Sequence, residues 1–115
     1  MKIELTRFRV KKGKESKALE WMEILNSRID DVLETLEGEK MYVETIFKEY
    51  DGQYMYLYWY SIQGEGGVEV IYSEHAIDKI HVQYWKECID ETYKGVDMEP
   101  LVSMIPNRVV NSFES

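Results

Sequence analysis

Two histidines and an aspartate share one short stretch, His75-x-x-Asp78-x-x-His81. An imidazole oriented by a carboxylate can take a proton or hydrogen-bond a ligand near neutral pH. On a helix of 3.6 residues per turn, the six-residue spacing sets the two rings about 120° apart. One metal ion held by both is therefore not expected, because chelating pairs prefer i, i+4. Asp78 lies three residues from each ring and can reach either. His81 falls on the apolar stripe of its helix, where a packed, satisfied histidine is the plainer role. If the stretch does chemistry, His81 is the proton acceptor, Asp78 orients it, and Tyr58 hydrogen-bonds the substrate. His75, Glu44, Tyr60, Trp59, Trp85 and Arg7 are the residues expected to line a ligand site. No cofactor and no metal is expected.

Other reactive types carry less. Cys88 shares a helical stripe with Tyr84 and reads as a small buried residue with no base at hand. Gln63-Gly64-Glu65-Gly66-Gly67 has the wrong spacing for a phosphate cradle, and Glu65 would repel the anion. It reads as a loop near a pocket mouth. Glu44 is a carboxylate in a mostly apolar strand, where pairing with an arginine is the ordinary outcome. No serine triad is visible.

These side chains need a scaffold, and its most telling part is Tyr54-Met55-Tyr56-Leu57-Tyr58-Trp59-Tyr60-Ser61-Ile62. Successive strand residues point to opposite faces. Tyr54, Tyr56, Tyr58 and Tyr60 take one face, and Met55, Leu57 and Trp59 the other. Both faces call for cover, whereas a small antiparallel sheet normally has one wet side. Helices supply one cover, and a second copy of the chain is the simplest other.

The remaining elements follow from periodicity. Residues 2 to 10 alternate as a strand. A helix is expected from Glu15 to Glu37, with Ala18, Met22, Leu25, Ile29, Val32, Leu33 and Leu36 buried and Gly38 as a left-handed cap. Lys40 to Tyr50 is a strand, and Asp51-Gly52 a hairpin turn with positive φ at both central positions. A second helix runs from a Ser73 cap to about Asp90, burying Ile77, Ile80, His81, Tyr84 and Cys88. Thr92 to Glu99 reads as loop, and Leu101 to Ile105 as a last strand closed by Pro106. The order β-α-β-β-α-β is that of a ferredoxin-like α+β fold, a four-stranded antiparallel sheet with two helices on one face and strands one and three central. On the helix side the pattern places Phe8, Val10, Met41, Val43, Phe47, Leu57 and Trp59. On the open side it places Leu5, Arg7, Arg9, Tyr42, Glu44, Ile46 and the four tyrosines.

Composition sets the outer bounds. The 115 residues, 44% hydrophobic and 31% charged, suit one globular domain over residues 1–115. A net charge of −8 and the lack of an aromatic-basic platform exclude nucleic acid as an expected partner. Half of the cations (Lys2, Arg7, Arg9, Lys11, Lys12, Lys14 and Lys17) fall in the first 17 residues. They form either a solvated strand end and loop or an attraction for a small anion. No apolar run could span a bilayer, the first residues do not resemble a signal peptide, and there is one cysteine, so a cytoplasmic protein without membrane contact is expected.

Phe8-Arg9-Val10-Lys11-Lys12-Gly13-Lys14, leading into a long amphipathic helix, resembles the opening of the dimeric α+β barrel superfamily, which includes antibiotic-biosynthesis and haem-degrading monooxygenases. Arg7-Phe8-Arg9-Val10, Glu39-Lys40-Met41-Tyr42-Val43-Glu44 and Tyr58-Trp59-Tyr60-Ser61-Ile62-Gln63-Gly64-Glu65-Gly66 resemble a small bacterial family of unknown function with that fold. The resemblance implies a homodimer and carries no activity. The haem-degrading branch has an Asn on its first strand, and none stands there here, so haem is not expected. Three functions fit: a homodimer binding an apolar or aromatic small molecule between sheet and helices, a cofactor-independent monooxygenase or isomerase on an aromatic substrate, or an interaction module without a pocket.

Overall fold

The two most regular alternating segments lie side by side at the centre of the sheet. In the computed structural model, which describes residues 1–67 and 74–114, β1 (Lys2–Arg9) pairs antiparallel with β3 (Met55–Gln63), from Lys2↔Gln63 to Arg9↔Tyr56. β2 (Met41–Tyr50) flanks β3, and the two-residue β4 (Val96–Asp97) flanks β1, giving the order β2-β3-β1-β4. Among the described residues, four helices complete an α+β fold: α1 (Glu15–Ser27), α2 (Ile29–Gly38), α3 (Ala76–Cys88) and α4 (Asn107–Glu114). α1 packs on α3, and α2 on both β2 and α3. Val10, Ala18, Trp21, Leu57, Cys88 and Ile89 form the dry centre between helices and sheet.

Several expectations are corrected. The expected first long helix is two, broken at Arg28 (φ −113°, ψ 34°). Ser27 Oγ donates to the Ile24 carbonyl at 3.0 Å, a back-bond of the kind that bends helices, and Arg28 pairs with Asp31 in the first turn of α2. After the break, Ile29 and Leu33 are 45% and 52% exposed, while Trp21, outside the expected stripe, is wholly buried. The left-handed residue after α2 is Lys40 (φ 56°), and Gly38 ends the helix itself. In the β2–β3 turn only Gly52 has positive φ (94°). Asp51 Oδ1 instead accepts from the backbone N–H of Gln53 and Tyr54, which holds a longer loop.

The expected faces of β1 and β3 match the pairing, and that of β2 does not. Opposite pairs are Glu44↔Ser61, Ile46↔Trp59 and Phe47↔Tyr58. Glu44 and Ile46 therefore share the helix side with Trp59, and Phe47 stands on the open side, 55% exposed. Apolar residues occupy both parities of β2, so alternation alone does not choose its face. The last strand is Val96–Asp97, inside the stretch expected as loop, fixed to β1 by the Thr6 hydroxyl donating to Asp97 at 2.7 Å. Leu101 to Ile105 pairs with no strand. The tail forms α4, whose Phe113 stacks on Tyr42 with centroids 5.0 Å apart. The expected Ser73 cap lies outside the described residues, and His75 stands at the N-cap of α3.

Candidate functional site

Buried indoles must place their N–H groups, and that requirement organises the helix side of the sheet. Trp21 from α1, Trp59 from β3 and Trp85 from α3 converge with centroids 5.3 to 5.9 Å apart. Phe8 abuts Trp85 edge-on at 4.7 Å. Trp21 Nε1–H donates to His81 Nδ1 at 3.0 Å, and Trp59 Nε1–H donates to Glu44 Oε1 at 2.7 Å. An imidazole that accepts at Nδ1 carries its proton on Nε2. Burial lowers the His81 pKa against the opposing pull of Asp78, so the ring stays neutral. Its Nε2–H is therefore the donor of the ring. Acting as a base would first require breaking the bond from Trp21.

Acids crowd this same region. Asp78 is 6% exposed, and its Oδ2 has no hydrogen-bond partner among the described residues. The Glu39 carboxyl, just beyond α2, is pushed up to about 7 by burial first and then by Glu44 and Asp78. Burial also raises Glu44; the Trp59 N–H opposes that shift and Asp78 adds to it. Burial and neighbouring carboxylates thus favour the protonated form of both Glu39 and Glu44.

Glu44 also looks into a groove. A space of about 320 Å³ opens between α1–α2 and the sheet, walled by Met22, Leu25, Ile29, Leu36 and Ile46, with Glu44 among its lining residues. Apolar walls with a few placed polar groups are the usual make-up of a small-molecule site. The helix break contributes directly, because it leaves Ile29 and Leu33 on the rim instead of in the core.

The sheet divides the residues singled out in the sequence. His81, Asp78, Glu44, Trp59 and Trp85 gather on the helix side. Arg7, Tyr58 and Tyr60 stand on the other. Arg7 donates to the Tyr93 hydroxyl at 2.6 and 3.0 Å and lies over the Tyr56 ring. The Tyr58 hydroxyl donates to Glu49 at 2.7 Å. Within one chain, Tyr58 and His81 do not face a common molecule. His75 is exposed at the start of α3. The amino-terminal cations mostly meet groups of their own chain: Lys14 meets Glu87, Lys17 meets Glu20, Lys11 donates to the Lys86 carbonyl, and Arg9 holds Asp90 at 2.8 Å. Among the described residues, no group of three or more His, Cys, Asp or Glu is placed to hold a metal ion, and no helix is long and apolar enough to cross a membrane.

Trp21 and Glu39 are the site residues that sequence reasoning missed. Trp21 had a signal, since it sits three residues after buried Ala18, on the stripe's flank. Glu39 had none, being one of 22 acids and placed between elements.

The chain belongs to a family of unknown function, DUF6176, whose match covers residues 1–111. No curated protein and no solved structure matches the chain significantly.

Proposed function

We propose that this chain is one subunit of a homodimer, of the ferredoxin-like α+β barrel type, that binds a small apolar or aromatic molecule in the groove between α1–α2 and the sheet. One observation carries the reading: an apolar groove includes in its lining a carboxyl whose Oε1 is already engaged by Trp59. The reading gives the second Glu44 oxygen to the ligand. Because burial disfavours its charged form, it suits a partner with a hydrogen-bond donor or a weakly basic nitrogen more than an anion. The ligand class is an apolar or aromatic body bearing one such group.

Titration with N-phenyl-1-naphthylamine, a neutral aromatic amine that fluoresces in apolar surroundings, tests this. Saturable binding is expected. Ile29→Trp with Leu33→Trp, both at exposed rim positions, should narrow the groove and weaken binding at least about tenfold, or ~1.4 kcal/mol. Glu44→Gln should weaken it by about 5- to 100-fold, the range for losing a buried hydrogen-bonding group. Absence of saturation, or equal affinity in all variants, refutes the reading and leaves an interaction module. Cofactor-independent turnover of an aromatic substrate is the second reading. The Glu39 carboxyl favours it, because a group titrating near 7 is matched to proton transfer at neutral pH. Product formation from a panel of phenols and quinols, lost in Glu39→Gln, is its test.

A further inference from the structure

Residues 98–105 read Met-Glu-Pro-Leu-Val-Ser-Met-Ile and lead into Pro106. Prolines near both ends favour extended backbone. Leu101, Val102 and Met104 are 89%, 72% and 85% exposed, the three most exposed large apolar side chains among the described residues. After the Met98 N–H bonds the Leu5 carbonyl, no described backbone hydrogen bond involves residues 99–105. The segment is nonetheless no frayed end. β4 ties it to β1 on one side, and the stacking of Phe113 on Tyr42 ties α4 to β2 on the other. It is a strap held at both ends that turns its apolar side chains outward.

A second uncovered surface faces away from the helices. Leu5, Phe47, Tyr58 and Tyr60 line an open hollow of about 420 Å³ on the bare side of the sheet. A neighbouring hollow, bounded by Ile3, Leu5, Tyr60, Val102 and Met104, joins this face to the chain's own strap. We propose that each strap docks on the open sheet face of a second copy of this chain, with Leu101 and Met104 seated against Phe47, Tyr58 and Tyr60 of that copy. A two-fold pairing places the same two surfaces together twice, so one contact covers all four.

The areas agree with that occupant. The chain exposes 7904 Å². A monomer of 13.7 kDa is expected to expose about 6,600 Å². The excess, about 1,300 Å², exceeds the ~800 Å² that each partner contributes to a standard stable interface. Reach also suffices: seven extended residues span ~23 Å, against ~14 Å between the outer strands of a four-stranded sheet. The inference rests on the homodimer reading above and adds the element that makes the contact.

Light scattering coupled to gel filtration should give wild-type protein twice the 13.7 kDa chain mass at micromolar concentration. Leu101→Asp with Met104→Asp should give the single-chain mass with an unchanged circular dichroism spectrum, since both side chains are at least 85% exposed in the single chain. Leu101→Cys with Phe47→Cys should form a disulfide between chains under mild oxidation. A wild type that is monomeric overturns both the homodimer and the strap. A dimer that survives both aspartates, or a dimeric cysteine pair that bonds only within one chain, overturns the strap alone.

Discussion

Glu39 shows how position alone makes a residue behave unlike its type. Its carboxyl is half shielded beside Glu44 and Asp78, which lifts it from the ordinary 4.5 to about 7. An acid with a raised folded pKa binds more protons in the folded than in the unfolded chain between those values. Its contribution is therefore fully present below about 4.5 and is lost as pH rises through about 7. Glu39→Gln should flatten the fall in stability between pH 5 and 8. At pH 8 it should stabilise the protein by about 1–2 kcal/mol, a value discounted for partial exposure to solvent. Urea unfolding at several pH values checks this, and an unchanged slope contradicts it. Trp21 makes the matching case for a neutral pair. Its N–H fixes which His81 nitrogen holds the proton, so ¹⁵N spectra should show the Nε2–H form at neutral pH. Trp21→Phe removes the donor, leaves a buried acceptor unmatched and opens a small void, which should cost about 2–4 kcal/mol in urea unfolding. A loss below ~1 kcal/mol would mean that the bond and its packing carry no weight.

At the scale of elements, what was legible follows from how one-sided each segment is. β1 and β3 were readable because their alternation fixes the faces once Arg7 and Arg9 oppose Phe8 and Val10. β2 was not, since Tyr42 and Ile46 are as apolar as Val43 and Phe47. That misreading hid the most useful contact of the site, Glu44 with Trp59. β4 was invisible because two residues carry no period, and what fixes it is the contact of Thr6 with Asp97, 91 positions away. Asp78 and His81 were legible from spacing on one helix, whereas the convergence of Trp21 and Glu39 on them arises only in three dimensions. The α2–β2 connection carries a testable cost. Lys40 sits at φ 56°, a conformation disfavoured by about 1–2 kcal/mol for a residue with a Cβ. Lys40→Gly should relieve it, offset by the added freedom of the unfolded chain, for a net gain of about 0.5 kcal/mol. Gly67 works in the opposite sense, because a Cβ there would overlap the Glu39 carbonyl. Gly67→Ala should lower the melting temperature and disturb the Glu39 titration, while Lys40→Gly should raise the first and leave the second in place.

The molecule as a whole is open for its size. Its radius of gyration is 15.0 Å and its extents are 43 × 34 × 22 Å, where a compact chain of this length has a radius of about 13 Å. Flatness follows from a sheet covered by helices on one side and a strap that stands off the other. If a second copy completes the structure, association stabilises the folded chain further, and stability depends on concentration. Raising the protein from roughly 1 to roughly 100 µM then adds about 2.7 kcal/mol to the dimer. Two chains of 115 residues unfold with an entropy of about 0.5 kcal/mol/K in total, so the melting temperature should rise by about 5 °C over that range. The variant with Leu101→Asp and Met104→Asp should melt at one temperature throughout, below the wild type at every concentration. A wild-type melting temperature that does not move would show that one chain is stable with its tyrosine face and strap in water. The excess surface would then belong to the monomer itself.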